Sequence, residues 1–190
     1  MIRIALVGDI GSGKTFISKF FGYPIFNADK AVLQIYEKDR KTYLKLKKSL
    51  PNFFSEFPIK KESLINAIIK NEKNIKKISH IVHPAVRKHL NNFLKKNKKR
   101  RVVILDIPLF LENNLNKKND NIVFINSKIK DIKKKLSLRK NYKKIILKKL
   151  KKLQYSPKYK RLKSNYVINN NFNKNSARKA VKDILNQIIS

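Results

Sequence analysis

Residues 8–15 read GDIGSGKT, and the interpretation of the whole chain starts from them. They satisfy G-x-x-x-x-G-K-[ST], the pattern of a phosphate-binding loop whose backbone amides surround the phosphates of a nucleotide. Glycine permits the left-handed backbone and the close approach that such a loop needs. The chain has only four glycines, and three of them, Gly8, Gly11 and Gly13, lie in this stretch. The stretch therefore predicts a nucleotide-binding site.

The sequence on either side of the loop predicts a strand before it and a helix after it. Residues 2–7 are a short β-branched hydrophobic run, as expected of a buried parallel strand. Hydrophobic residues then recur at helical spacing from Phe16 to Phe21, and Gly22 is expected to end that helix. The helix N-terminus adds partial positive charge behind the phosphates.

The loop supplies the predicted ATP contacts. Lys14 is expected to be solvated in the empty loop and to reach the β- and γ-phosphates of bound ATP, while the Thr15 hydroxyl coordinates Mg²⁺. The residues expected to contact ATP are Gly8, Asp9, Ile10, Gly11, Ser12, Gly13, Lys14, Thr15 and Phe16.

The composition is that of a globular domain. Of the 190 residues, 42% are hydrophobic and 31% are charged. Cysteine is absent, which is typical of a reducing compartment, and we expect a cytoplasmic protein. The first predicted strand begins at residue 2, so we expect no cleavable signal. The longest hydrophobic stretch, residues 102–111, is interrupted by Asp106 and Pro108, so we expect no membrane-spanning segment.

A formal net charge of +35 raises the possibility of nucleic-acid binding. Only eight of the 47 basic residues are Arg, although Arg is the residue best suited to bidentate contacts with phosphate and guanine. Abundant Lys, Ile and Asn (22 residues) instead indicate coding bias in an AT-rich genome. We expect no specific nucleic-acid partner, and a basic nucleic-acid-binding protein stays as the less favoured alternative.

The rest of the chain alternates predicted strands and helices. Further strands are predicted at residues 25–26, 102–106, 121–125 and 166–168, which gives an α/β fold with a parallel sheet of five strands flanked by helices. Residues 63–99 read as helical with a break at His83-Pro84, since Pro84 suits the first turn of a new helix. Residues 127–159 read as a Lys-rich helical pair, either a solvated surface or a lid over ATP. A last helix follows, with Ser176 as its expected cap.

Two carboxylates follow predicted strands. Ligands of open α/β sheets bind outside the carboxyl ends of the strands, so Asp29 and Asp106 are expected at the same edge as the loop. Asp29 can accept a proton from an attacking hydroxyl, or it can simply cap a helix. Asp106 ends the clearest strand and is expected on the Mg²⁺ side. His83 and Arg87 lie near a predicted helix start, as boundary residues or as contacts to an anionic or ribose-bearing ligand.

Several motifs in order resemble those of the dephospho-CoA kinase family. GDIGSGKT is similar to that family's GGIGSGKS, and Phe26-Asn27-Ala28-Asp29 stands where it has I-D-A-D. His83-Pro84 matches its H-P, and residues 106–112 match its D-x-P-L-x-x-E. Arg139 and Gln154 lie where the family has a lid Arg and a following Gln, and residues 167–170 stand where it has V-I-D-N.

The resemblance implies transfer of the ATP γ-phosphoryl group to the ribose 3′-hydroxyl of dephospho-CoA, in a monomer or weak homo-oligomer. Asp29 then matches the family's proposed base, and Lys14 and Arg139 join it as catalytic residues. The implied metal site is Thr15 with Asp106. The implied fold has a core (residues 1–50, 100–127 and 161–190), a helical substrate-side insertion (51–99) and a lid (128–160). The implied substrate contacts are Asp29, His83, Arg87, Pro108, Leu109 and Glu112.

The chain departs from the family pattern at five positions. Asp9 replaces a loop Gly and places a negative charge beside the phosphates, which the surrounding lysines are expected to offset. Asn27 replaces the first Asp of I-D-A-D, so only Asp29 is left to act as a base. Leu33 stands where many members have Arg, and Asn169 and Phe172 replace the Asp and Gly of the last motif. The nearest functional alternative is another small-metabolite kinase, for nucleosides or nucleotides, which would share the loop but not these motifs in this order.

Overall fold

The computed structural model describes residues 1–138 and 144–190. Within these residues five strands form one parallel sheet in the order β2-β3-β1-β4-β5. This confirms the predicted sheet. The strands are β1 (Ile2–Gly8), β2 (Ile25–Asn27), β3 (Val102–Asp106), β4 (Asn121–Asn126) and β5 (Tyr166–Asn169).

The central strands are rich in hydrophobic residues and buried along nearly their whole length, because both faces of a parallel sheet are covered. All five residues of β3 are buried, as are six of the seven residues of β1. The last helix, α9 (Lys174–Ile189), packs Val181 and Ile184 into the same core as Ile4 and Leu6. Each buried side chain of this size stabilises the fold by about 1.5–3 kcal/mol. The cap of α9 is Asn173, whose side chain accepts from the amides of Asn175 and Ser176, so the expectation of a Ser176 cap was wrong.

The helix after the phosphate loop is shorter than predicted. It is α1 (Lys14–Ser18), and the chain then tightens into i→i+3 turns, in which Phe20 and Phe21 donate to the carbonyls of Ile17 and Ser18. The tighter turn still buries Phe21. Gly22 takes the positive φ of 72° at the end of this segment, as expected of a residue that stops a helix.

Seven further helices connect the strands in the part of the chain that the structure describes. They are α2 (Ala28–Lys38), α3 (Arg40–Ser49), α4 (Lys61–Lys70), α5 (Lys73–Lys96), α6 (Ile129–Ser137), α7 (Lys144–Lys151) and α8 (Pro157–Leu162). No helix among the described residues is long and apolar enough to cross a membrane.

The described residues form two compact units. The first holds residues 1–27, the described part of 97–142, and residues 150–190, and it contains the sheet. The second holds residues 28–96 and the described part of 143–149. Helices α2 and α3 therefore group with α4 and α5, although the sequence interpretation begins its substrate-side insertion at residue 51. The core, insertion and lid boundaries remain a proposal about functional parts.

The second unit has its own hydrophobic core, which explains this grouping. Tyr43 and Leu46 of α3 are buried together with Ala67 of α4 and with Ile78 and Val82 of α5. Because these side chains bury one another, α3 has a packing surface that does not depend on the sheet.

Helix α5 runs through Pro84 without ending, so the predicted break at His83-Pro84 was wrong. A proline inside a helix removes one backbone hydrogen bond and costs about 3 kcal/mol. Ile78 and Val82 before the proline and Leu90 after it are all buried on the same helix. Packing on both sides of Pro84 therefore keeps the two halves in one helix.

Candidate active site

The phosphate loop connects β1 to α1, and its glycines take the backbone conformations that the motif predicts. Gly13 has a φ of 90°, and a Cβ atom there would lie 2.3 Å from the Asn170 amide nitrogen. At Gly8 a Cβ atom would lie 2.7 Å from the carbonyl oxygen of Ile125. Neither position has room for a side chain, so glycine is required by packing as well as by backbone angle.

The far side of the loop is held by two side chains that the sequence did not identify. The Ser127 hydroxyl and the Asn170 side-chain amide both donate to the Ser12 carbonyl oxygen, each over 2.8 Å. Asn170 is buried, and its backbone amide donates to the carbonyl of Asn126. These two hydrogen bonds hold the Ser12 peptide in one orientation. A phosphate loop needs such fixed peptides, because its amides must point inward toward the anion.

Lys14 is buried in the loop, so the expectation of a solvated side chain was wrong. The residue is 8% exposed, and its ammonium group donates to the carbonyl oxygens of Gly8 (3.2 Å) and Asp9 (2.9 Å). A buried ammonium group needs acceptors, and the loop carbonyls supply them. Lys14 therefore already lies along the loop in which the phosphates are expected.

Thr15 and Asp106, the two residues predicted to hold a metal, are in direct contact. The Thr15 hydroxyl donates to the Asp106 carboxylate over 2.6 Å, and the Asn27 side-chain amide donates to the same oxygen over 2.6 Å. The three residues come from α1, β3 and β2, and Asp106 is 2% exposed. A hydroxyl and one carboxylate are suitable Mg²⁺ ligands when phosphates and waters complete the shell. Within the described part of the chain, no group of three or more His, Cys, Asp or Glu residues is arranged so that it could hold a metal ion.

The unusual loop residue Asp9 is neutralised locally, as expected. One carboxylate oxygen accepts from the backbone amide of Ile10 over 2.8 Å, and the other lies 3.1 Å from the ammonium of Lys151. The Lys151 side chain is 64% exposed, so the pair contributes little to stability. The ion pair matters for the local charge, because it places the Lys151 ammonium beside the one acidic residue of the loop.

Phe172 covers one end of the loop. Its backbone has a φ of 62°, a conformation that glycine adopts freely and that a bulky residue rarely takes. The ring lies 6.0 Å from that of Phe16, and the Lys135 ammonium lies 5.4 Å from its centre. Phe172 thus takes a backbone conformation typical of glycine and forms an aromatic wall beside Phe16.

The turn after β3 contains Pro108, Leu109 and Glu112, all predicted to contact the substrate. The Glu112 carboxylate is directed to internal partners: one oxygen lies 3.0 Å from the Lys160 ammonium and accepts from the backbone amide of Tyr155. Pro108 and Leu109 are partly exposed in the same turn. The substrate contacts of these three residues stay a prediction.

Asp29 lies in the first turn of α2, in the second unit, and is exposed. The helix begins at Ala28, so Asp29 is its second residue and not the residue before it. The partial positive charge of the helix N-terminus stabilises a carboxylate at this position. Its exposure leaves the carboxylate accessible to a substrate hydroxyl.

His83 and Arg87 lie one turn apart on α5, also in the second unit. Burial lowers the pKa of His83, and the positive charges of Arg87 and His80 lower it further. His83 is consequently neutral at physiological pH and can act as a hydrogen-bond donor or acceptor. Arg139, the predicted lid arginine, lies outside the described residues.

Lys160 is the residue that sequence reasoning missed most completely. It stands in the Lys-rich segment that was interpreted as a solvated surface or lid, yet it is 1% exposed and bonds to the loop. Composition hides it, because 39 of the 47 basic residues are lysine and nothing in the sequence distinguishes one buried lysine from the others. Ser127 and Asn170 had no distinguishing pattern either, although Asn170 belongs to the motif at residues 167–170.

A comparison with protein families gives one match over most of the chain. The family model described as Dephospho-CoA kinase matches residues 2–176. A dephospho-CoA kinase of Wolbachia sp. subsp. Brugia malayi is 32% identical over 190 residues, covering 97% of each chain. One from Zymomonas mobilis is 27% identical over 176 residues, covering 91% of this chain and 89% of that one.

Two solved structures share the fold. A crystal structure from Thermus thermophilus superposes with a TM-score of 0.79 at 21% identity, covering 98% of this chain and 97% of that one. Dephospho-CoA kinase from Campylobacter jejuni superposes with a TM-score of 0.62 at 20% identity, covering 98% and 96%. At these identities the superpositions show the architecture, including the strand–loop–helix on which the site is built.

Proposed function

The chain belongs to the dephospho-CoA kinase family, whose reaction is the ATP-dependent phosphorylation of dephospho-CoA, and we propose that the ribose 3′-hydroxyl is the acceptor. The match over residues 2–176 is the observation that carries this proposal. The phosphate loop, the Thr15–Asp106 hydrogen bond and the five-stranded parallel sheet agree with it.

The loop binds ATP by its phosphates. Its backbone amides face the β- and γ-phosphates, and Lys14 turns from the Gly8 and Asp9 carbonyls to neutralise them. Charge on the γ-phosphoryl oxygens is redistributed in the transition state, so a positioned ammonium group lowers the barrier. Arg139, delivered by closure of the lid, adds a second positive charge at the same stage.

The Thr15 hydroxyl and the Asp106 carboxylate hold Mg²⁺ with ATP. They fit this role because both are oxygen ligands, lie 2.6 Å apart and come from two elements that the sheet fixes. When bound, the ion neutralises phosphate charge and orients the β- and γ-phosphates. Asn27 contributes by donating to Asp106, which fixes the carboxylate without adding another negative charge.

Asp29 accepts the proton of the 3′-hydroxyl as that oxygen attacks the γ-phosphorus. Its exposure and its place two residues after the end of β2 support the assignment. His83 and Arg87 on α5 bind the substrate through a neutral imidazole and a guanidinium group. Pro108, Leu109 and Glu112 form the substrate side of the turn after β3.

We expect the protein to act in the cytoplasm as a monomer or weak homo-oligomer. The absence of cysteine fits a reducing compartment, and a net charge of +35 makes copies of the chain repel one another. Sedimentation at physiological salt measures the oligomeric state. A dimer that persists at nanomolar concentration would contradict this expectation.

The test of the reaction is ADP production that depends on dephospho-CoA. The purified chain is incubated with ATP, Mg²⁺ and either dephospho-CoA or a panel of nucleosides and nucleoside monophosphates. We expect turnover only when dephospho-CoA is the acceptor. Phosphorus NMR should show the new phosphate on the 3′-oxygen of the product. Comparable turnover with a nucleoside would assign the chain to a different small-metabolite kinase activity.

A further inference from the structure

Lys160 connects α8 to the first peptide of the phosphate loop. Its ammonium group lies 3.3 Å from the carbonyl oxygen of Gly8, 3.2 Å from the Gln154 side-chain oxygen and 3.0 Å from the Glu112 carboxylate. An ammonium group has three N–H donors, and here each has an acceptor. The side chain therefore has one fixed position.

Stability alone does not account for a charged pair at this place. Lys160 is 1% exposed, and the Glu112 side chain is 9% exposed. Removing two such charges from water offsets most of their mutual attraction, and hydrophobic side chains of similar volume stabilise a protein as well or better. A buried ion pair whose third contact is a carbonyl of the ATP-binding loop indicates a role in the geometry of that loop.

The Gly8 carbonyl accepts from two ammonium groups. Lys14 donates to it over 3.2 Å and Lys160 over 3.3 Å. In the ligand-free protein the Lys14 ammonium donates to the loop carbonyls. When ATP binds, Lys14 turns toward the phosphates and donates to them instead. Gly8 would then lose a partner at the moment when the loop must be most ordered. Lys160, which is held by Glu112 and Gln154, continues to donate to the Gly8 carbonyl.

We propose that Lys160 is a positioning residue of the phosphate loop, which keeps the Gly8 carbonyl fixed and so frees Lys14 to bind the phosphates of ATP. Glu112 is its counter-ion, and the last acidic residue of the D-x-P-L-x-x-E motif serves the ATP side of the site through Lys160. The inference rests on the proposed function only in that the loop binds ATP. It does not depend on the identity of the acceptor.

The first variant is the pair Lys160→Met and Glu112→Gln together. Methionine has a similar length and no charge, and glutamine keeps an oxygen that can accept from the Tyr155 amide. Lys160→Met alone would leave a buried carboxylate without its cation, which destabilises the fold for a reason unrelated to the loop. The double variant removes both charges at once. Lys158→Met is the matched control, because Lys158 is exposed on the same helix.

The readouts are the affinity for ADP by calorimetry and the KM values of the two substrates. We expect the double variant to fold, to bind ADP about tenfold more weakly and to show a similar rise in the KM for ATP. Because Glu112 is also a proposed substrate contact, Glu112→Gln alone is the reference for the second substrate. The double variant should differ from Glu112→Gln by less than about twofold in the KM for dephospho-CoA, since the further loss of the Lys160 ammonium affects only the nucleotide loop. Lys158→Met should match the unmodified protein in each measurement.

Three results would overturn the proposal. A folded double variant whose ADP affinity stays within about twofold of the unmodified protein would show that Lys160 only fills a buried space. Equal increases in both KM values relative to Glu112→Gln alone would indicate a general structural effect. Failure of the double variant to fold would show that the pair is needed for folding itself. Because ADP binding needs no acceptor, an absence of turnover with dephospho-CoA would count against the proposed function and leave this test intact.

Discussion

At the scale of single residues, Asn27 and Asp29 have different expected roles, although they are only two positions apart. The Asn27 amide donates to Asp106 and has no basic atom left for catalysis. An Asp at position 27 would place a second carboxylate against Asp106, whereas the amide forms a hydrogen bond there. The proposed proton acceptor of this motif is then Asp29 alone, so a single substitution tests the assignment.

Asp29→Asn is therefore expected to slow phosphoryl transfer by about 10²- to 10⁴-fold, the usual effect of losing a general base. The amide has nearly the same shape as the carboxylate but cannot take up a proton. ADP affinity should be unchanged, since the loop is not altered. Steady-state kinetics and calorimetry measure the two quantities. Retained activity at an unchanged melting temperature would show that positioning of the hydroxyl, and not proton acceptance, carries the catalysis.

Lys14→Met is expected to reduce kcat by about 10²-fold or more, because it removes charge that stabilises the transition state. The buried position of Lys14 adds a second expectation. The Gly8 and Asp9 carbonyls lose a donor in the empty protein, so the loop becomes less ordered before ATP binds. Hydrogen exchange of the loop amides in the ligand-free variant measures this. An unchanged exchange rate would mean that the Lys14 contacts in the empty loop do not order it.

At the scale of elements, the strands were predicted to within one or two residues, and the helices were predicted less well. Strands such as β3 read as uninterrupted β-branched runs because both faces are buried, and this signal is local to the sequence. Helix α5 continues through Pro84 because of packing against residues distant in the chain. Local propensity carries no information about that packing, so the sequence alone could not show that the helix continues through His83-Pro84.

The same distinction applies to the site. The loop, Thr15 and Asp106 were predicted because a motif and a strand end fix them. Lys160 was not, since burial of one lysine depends on where α8 packs. Its three acceptors come from β1, the turn after β3 and the segment before α8, and no spacing in the sequence brings these together.

His83 on α5 makes stability depend on pH. Its pKa in the folded protein lies below the value of 6.5 of an exposed histidine, first because of burial and then because of Arg87 and His80. Below pH 6.5 the unfolded chain therefore binds a proton that the folded chain does not. The free energy of unfolding should be level above about pH 7 and should fall as the pH decreases through 6.5 toward the lower folded pKa.

His83→Gln removes this contribution and should flatten the decrease between about pH 7 and pH 5. Urea unfolding at several pH values measures the slope, with His89→Gln on the same helix as the control. A slope that is the same for the unmodified protein and His83→Gln would show that burial of His83 does not carry the dependence.

At the scale of the whole molecule, the charge of +35 should affect every anionic ligand without making the chain a nucleic-acid-binding protein. Affinity from many phosphate contacts falls steeply with salt, by about 10³- to 10⁵-fold between 50 and 200 mM when six to ten contacts are involved. Binding of a labelled random DNA duplex, followed by fluorescence anisotropy, should disappear over that range. Turnover with ATP and dephospho-CoA should decline far less. Duplex binding that survives 200 mM salt would favour the nucleic-acid alternative.

The order of strands has a consequence for how the chain is made on the ribosome. Strand β1 is the first to emerge, and both of its neighbours, β3 and β4, are encoded about 100 residues later. At about 5–20 residues per second, this central strand waits roughly 5–20 s for a partner. Asn170, which fixes the Ser12 carbonyl, arrives later still. Nascent chains arrested before β3 should thus be cut near their N-terminus by a protease and be bound by chaperones that recognise apolar strands. Chains released after Asn170 should be protected by ADP, because only then does the loop have all of its supports.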